Sequence, residues 1–126
     1  MSQLERILYV EDEPDIQAVA ELALQSLGGF TLHVCSSGQQ ALEEAEAFKP
    51  QLILLDVMMP GMDGPTTMQE LRKIDSLANV PVIFMTAKVQ TNEVAEYMNM
   101  GALDVIAKPF DPMTLSDVVR EIWSKA

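Results

Sequence analysis

The chain has 126 residues, with nineteen Asp and Glu against eight Lys and Arg and a formal net charge of −11 at neutral pH. A surface that negative repels phosphate backbones and anionic headgroups, which argues against direct binding to nucleic acid or to a membrane surface. Apolar residues make up 48% of the chain, with six Gly and seven Pro; this is one ordinary globular domain, and disordered, fibrous and disulfide-dependent classes drop out. The single Cys35 has no internal partner and fits a reducing compartment. No apolar run follows a basic start in MSQLERILYV, and none approaches the roughly 18 residues of a membrane span. A cytoplasmic location is expected.

Five short, β-branched-rich apolar runs alternate with segments of helical period, which predicts a parallel sheet covered by helices on both faces. The first run is Arg6 to Val10. Behind it, Pro14 suits a first helical turn, Ile16, Val19, Ala20, Ala23 and Leu27 recur at spacings of three and four, and Gly28-Gly29 supplies the stop. The second run, Thr31 to Cys35, leads into Ser37-Gly38-Gln39-Gln40, a capping-box pattern. The helix it opens carries Leu42, Ala45 and Phe48 on one face and ends before Pro50. The third run is Leu52 to Leu55, and Met68, Leu71 and Ile74 mark the helix after it. The fourth is Val80 to Met85, followed by a helix marked by Val94, Ala95 and Met98 and closed by Gly101. The fifth is Asp104 to Ala107; Asp111-Pro112 then caps a helix on which Leu115, Val118, Val119 and Ile122 share one stripe. The expected architecture is (βα)5, one domain over residues 1–126, with any output activity in another polypeptide or another part of a parent chain.

In an open α/β sheet, ligands bind beyond the carboxyl ends of the strands. Here the first strand exits into Glu11-Asp12-Glu13, the third into Asp56, the fourth into Thr86-Ala87-Lys88 and the fifth into Lys108-Pro109-Phe110. Glu11, Asp12 and Asp56 offer only acceptor oxygens, and each like-charged pair costs ~4 kcal/mol at about 4 Å with an effective dielectric of ~20. Something positive must sit among them. A hard divalent cation such as Mg²⁺ suits oxygen ligands and keeps waters of its own, and no His or Cys spacing suggests zinc or iron. Asp56 follows a fully apolar strand and is ionised at neutral pH, so it can attack phosphorus without a general base. The metal and Lys108 would neutralise the equatorial oxygens and Thr86 would donate a hydrogen bond to one of them.

These elements, ILYVEDE at 7–13, LILLDVMMPGMDG at 52–64, VIFMTA at 82–87 and GALDVIAKPF at 101–110, resemble the receiver domain of two-component response regulators over essentially the whole chain. The resemblance implies a flavodoxin-like doubly wound sheet of order 2-1-3-4-5 and a phosphorelay response regulator, a phosphoprotein that assists only its own phosphorylation and dephosphorylation and is not otherwise an enzyme. It implies Asp56 as phosphoacceptor, with Mg²⁺ held by Glu11, Asp12, Asp56 and the main-chain carbonyl of Met58. It assigns the switch hydroxyl to Thr86 and the phosphoryl-contacting lysine to Lys108, the Lys108-Pro109 bond being cis. The implied donor is a histidine kinase or histidine phosphotransfer protein. Phosphorylation then reshapes the face made by the fourth helix, fifth strand and fifth helix for a downstream protein, and such domains are monomers or weak dimers through that face.

One departure stands out: Val105 occupies the position, three before Lys108, where the family usually carries an aromatic residue that turns inward. A phosphorylation-independent interaction module of the same fold is therefore the alternative. An acid-phosphatase-type enzyme that forms an aspartyl-phosphate on a similar sheet is disfavoured, because such enzymes resemble one another in an Asp-x-Asp pair and Asp56-Val57-Met58 lacks the second Asp. The resemblance also implies that the positions two residues beyond Asp56 and Thr86 govern access of the attacking water, and Met58 and Lys88 there lead to an expectation of slow loss of the phosphoryl group. Cys35 and His33 read as strand residues without chemistry. Met58, Met59 and Met62 read as loop packing, and Trp123 as packing or contact surface.

Overall fold

In the computed structural model, which describes residues 3–126, the five apolar runs become five parallel strands. These are β1 (Arg6–Val10), β2 (Thr31–Cys35), β3 (Leu52–Asp56), β4 (Val82–Thr86) and β5 (Asp104–Ala107). The helices are α1 (Pro14–Glu21), α2 (Gly38–Phe48), α3 (Gly64–Leu71), α4 (Thr91–Asn99) and α5 (Leu115–Ser124), and a 3₁₀ turn spans Asp75–Leu77. Strand order is β2-β1-β3-β4-β5, as expected. Right-handed crossovers from a parallel sheet place helices on both faces, which is why β3 and β4 are buried along their whole length.

Alternation along the strands divides the core in two. Leu8, Val10, Ile53, Leu55, Val82 and Phe84 pack under α2, α3 and α4, together with Ala41, Ala45, Met68, Leu71 and Tyr97. Ile7, Tyr9, Leu52, Leu54, Ile83 and Met85 pack on the other face, with Ala20, Ala23, Leu24, Leu115, Val119 and Ile122. Each fully buried Leu or Ile contributes about 1.5–3 kcal/mol, so the two layers hold the sheet rigid while its carboxyl edge stays open.

Several helical details differ from the periodicity. After Glu21 the first helix widens into a π-helical stretch, Leu22–Leu27. Ala23 and Leu24 are buried, while Val19 and Leu27, placed in the apolar stripe by spacing, are exposed. The cause is a neighbour: the Ser116 hydroxyl of α5 donates to the Ala23 carbonyl at 2.6 Å, taking a backbone acceptor out of the regular ladder. The Ser37 hydroxyl caps α2 by accepting from Gln40 N at 3.0 Å, but the Gln40 side chain accepts from Ser36 N, one residue before the position a capping box predicts. Ile74 lies beyond the end of α3. β4 starts at Val82, because Pro81 has no N–H for the ladder.

In α4 the inward residues are Val94 and Tyr97, with Tyr97 edge-on to Phe84 at 5.4 Å; Ala95 and Met98 are exposed. Asp111 caps a turn ahead of α5 by accepting from Met113 N at 2.9 Å, and Val118 lies at the exposed margin of the apolar stripe. Met59 is buried and Met58 is 66% exposed, so the loop methionines do not act as one packing unit. Trp123 is half-buried against the α1/α5 layer.

Candidate functional site

The carboxyl ends of β1, β3 and β5 bring four charged groups together. Glu11, directly after β1, is fully buried; its N–H is held by the Cys35 carbonyl at 3.0 Å and its carbonyl accepts from the Gln17 amide at 2.5 Å. Asp56 ends β3 and is 2% exposed. Carboxylate oxygens of Glu11, Asp12 and Asp56 lie within 4.8 Å of one another. Lys108, after β5, reaches back across the sheet: its Nζ donates to Asp56 Oδ1 at 2.8 Å and to Glu11 Oε1 at 2.9 Å. Lys108 thus supplies positive charge to two of the acids directly. The Lys108-Pro109 peptide is cis.

Thr86 ends β4, 2% exposed, with its hydroxyl oxygen accepting from Lys88 N at 3.0 Å. It lies outside the bonded cluster of Lys108 and the acids. Met58 lies two residues past Asp56 in the exposed turn before α3. Two side chains that sequence patterning passed over also shape the pocket. Gln17 ties α1 to the ends of β1 and β2 through the Glu11 carbonyl and the Ser36 hydroxyl. Tyr9 is two residues before Glu11 and on the same face of β1; its hydroxyl is buried without a hydrogen-bond partner among the described residues. A phenol in a run of Ile, Leu and Val was the available signal.

Electrostatics follow from burial. Desolvation pushes the Asp56 carboxyl above the ordinary Asp range, with Asp12 adding to the rise and the Lys108 hydrogen bond and charge opposing it. Glu11 is raised for the same first reason, again opposed by Lys108. Burial alone would lower Lys108, but its bonds to Asp56 and Glu11 outweigh that and hold the ammonium above the usual lysine value. Burial, then the charges of Glu11 and Asp56, keep the Tyr9 phenol protonated.

A carboxyl raised on folding binds its proton more tightly in the folded chain than in the unfolded one. Stability is thus lost as pH rises from the ordinary carboxylate range through the raised folded values. A bound divalent cation reverses this at high pH, where the acids are ionised. The expected result is a Mg²⁺-induced rise in Tm on the order of 5 °C at about pH 8 and a much smaller one at about pH 5, read by thermal melts with and without the ion.

Backbone packing fixes the Asp56 loop. Gly64 N donates to the Val57 carbonyl at 2.9 Å, and a Cβ on Gly64 would stand 2.5 Å from the Asp56 carbonyl oxygen and 2.9 Å from the Val57 Cα. Those are main-chain atoms and cannot swing aside. Gly64→Ala is expected to cost about 1–3 kcal/mol in denaturant unfolding, because α3 must move off the loop.

An acid triad, a buried Asp at the end of a central strand and a lysine bridging back from the last strand form one constellation at the open edge of a 2-1-3-4-5 sheet. The family model described as response regulator receiver domain matches residues 7–120. The chain belongs to that family. The receiver is 39% identical over 117 residues to the probable transcriptional regulator ycf29 of Porphyra purpurea, covering 92% of this chain and 55% of that protein. It is 39% identical over 116 residues to the DNA-binding response regulator MtrA of Mycolicibacterium smegmatis, covering 92% and 49%. It thus spans about half the length of these relatives. Among solved structures it superposes on the chemotaxis response regulator CheY4 of Vibrio cholerae with a TM-score of 0.86 at 25% identity, covering 95% of this chain and 99% of that one. A response regulator from Desulfuromonas acetoxidans gives 0.84 at 30% identity, covering 96% and 98%. No helix among the described residues is long and apolar enough to cross a membrane.

Proposed function

We propose that the chain, as a single receiver domain over residues 1–126, accepts one phosphoryl group on Asp56 from a histidine kinase or histidine phosphotransfer protein. The observation that carries this reading is the convergence of Glu11, Asp12 and Asp56 within 4.8 Å with Lys108 bonded to two of them. The donor set is all oxygen and strongly acidic, which fits Mg²⁺ rather than a softer ion. Glu11, Asp12, Asp56 and the Met58 carbonyl would hold it, and when bound it supplies charge neutralisation at the phosphoryl oxygens.

The residues divide the work as follows. An Asp56 oxygen forms the new bond to phosphorus as the bond to the donor breaks and the leaving group departs with that electron pair. Lys108 transfers its hydrogen bonds from the acids to an equatorial phosphoryl oxygen, and Thr86 turns its hydroxyl from the Lys88 N–H to donate to another. Gln17 and Gly64 keep the ends of β1 and β3 in place. The added charge of about −1.5 to −2 draws Thr86 and Lys108 toward phosphorus. That movement reaches α4, whose one buried residue is Tyr97 and which leaves Met98 exposed for a downstream partner.

Incubation with acetyl phosphate and Mg²⁺ should add one phosphoryl group that hydroxylamine removes, as it does from an acyl phosphate. A hydroxylamine-stable adduct, or none from either acetyl phosphate or a competent kinase, would count against the proposal. Val105 favours the second reading. It pairs in register with Phe84 and packs partly buried against the α4-side core, with no aromatic ring there to turn inward. Partner binding that is undiminished by Asp56→Asn would support a phosphorylation-independent module instead.

A further inference from the structure

A second group of ligating side chains converges on the edge strand, outside the acid pocket. His33 and Cys35 are two residues apart in β2, so the pleat directs both to the face covered by α2. Glu44 of α2 meets them. Ligand atoms of His33, Cys35 and Glu44 lie within 4.8 Å of one another, and His33 Nε2 is 2.6 Å from Glu44 Oε1. Sequence reading treated His33 and Cys35 as strand residues without chemistry; the fold makes them neighbours of a carboxylate eleven and nine residues further along the chain.

We infer that His33, Cys35 and Glu44 form a second metal site, distinct from the acid pocket, that takes one zinc-class divalent cation. The donor set is the first argument. An imidazole nitrogen, a thiol sulfur and a carboxylate oxygen match a borderline-soft ion, whereas Mg²⁺ avoids sulfur and nitrogen. Three protein ligands leave a fourth tetrahedral position for water.

Geometry is the second argument. Metal–donor bonds of about 2.0–2.3 Å set tetrahedral donors roughly 3.3–3.8 Å apart, so no donor pair has more than about 1–1.5 Å to close, and the 2.6 Å His33–Glu44 contact opens slightly as the ion enters between them. The side chains of His33 and Glu44 are 38% and 39% exposed and open to an arriving ion, while Cys35 is fully buried at the base. The ligands are also partly pre-set: the Phe48 ring stacks on His33 at 5.2 Å, and the Gln40 amide donates to Glu44 Oε1 at 3.4 Å. A net charge of −11 raises the local concentration of cations.

Binding exchanges protons and changes no oxidation state. The Cys35 S–H bond breaks as the sulfur–metal bond forms, and its proton goes to solvent. His33 binds through Nε2 as the neutral tautomer with its proton on Nδ1, so a proton displaced from Nε2 passes to Nδ1 or, where Nδ1 already holds one, to solvent. The ion then cross-links β2, the strand at the sheet edge, to α2.

Cobalt(II) titration in excess Mg²⁺, which fills the acid pocket, tests the site. One equivalent of cobalt should give a thiolate-to-cobalt charge-transfer band with the intense visible bands of a four-coordinate ion, and zinc should abolish both. Cys35→Ser should lose the charge-transfer band, and Asp56→Asn should keep it. His33→Asn and Glu44→Gln, at half-exposed positions where the fold tolerates change, should each weaken binding on the order of 10-fold or more. Absence of the band in the wild type at a large excess of cobalt would overturn the inference, as would unchanged affinity in both His33→Asn and Glu44→Gln.

Discussion

Lys108→Ala is expected to destabilise the metal-free protein by about 3 kcal/mol at neutral pH and to slow phosphoryl gain on the order of 10²-fold. The first effect arises because Nζ is the shared counter-charge of Glu11 and Asp56, both almost fully buried. Removing one partner of a buried pair leaves the other's desolvation uncompensated, and the figure sits at the low end of the usual range because the carboxyls can take up protons. The second effect follows from losing the only side-chain cation bonded within the acid cluster among the described residues. Mg²⁺ should restore most of the stability but not the rate, since it replaces the charge among the acids and not the hydrogen bond to the phosphoryl oxygen. Denaturant melts and mass-spectrometric time courses, each with and without Mg²⁺, separate the two.

Asp56→Asn is expected to move stability and function in opposite directions. The amide cannot attack phosphorus, so phosphoryl gain should fall below detection in the presence of Mg²⁺. In metal-free buffer near neutral pH the same variant should be more stable than wild type by on the order of 1 kcal/mol, because a buried charge raised in pKa by desolvation is replaced by a neutral isostere. Lys108 keeps Glu11 as its partner. Wild type should regain the advantage when Mg²⁺ is added, since the variant has lost one carboxylate ligand. Paired thermal melts would show whether the crossing occurs.

The strands and the acid cluster were legible because each rests on a local pattern. Leu52-Ile53-Leu54-Leu55 can only be a doubly covered strand, and the residue after it must then emerge at the open edge. What escaped depends on contacts from elsewhere in the chain. The π-helical stretch after Glu21 answers to Ser116, over ninety positions away, and the exposed Leu27 follows from it. The rotation of α4 that buries Tyr97 and exposes Met98 is set by Phe84 on β4. Asp12, Asp56 and Lys108 could be assigned to one pocket from strand ends alone. That Lys108 would bond to both Glu11 and Asp56 could not, because it depends on distances across the sheet from β5 back to β1. Gly64 was visible as a residue and silent as a requirement: only the approach of the Asp56 carbonyl shows why a side chain has no room there.

The most direct test of Asp56 as acceptor is to phosphorylate the protein with acetyl phosphate, reduce the adduct with borohydride and map the product by peptide mass spectrometry. An acyl phosphate on Asp56 is converted to homoserine at that position, and the conversion should require both Mg²⁺ and the phosphodonor. Conversion at another carboxylate, or conversion at Asp56 that is indifferent to Mg²⁺, would contradict a pocket in which Glu11, Asp12 and Asp56 share one cation and Lys108 steadies the incoming phosphoryl group.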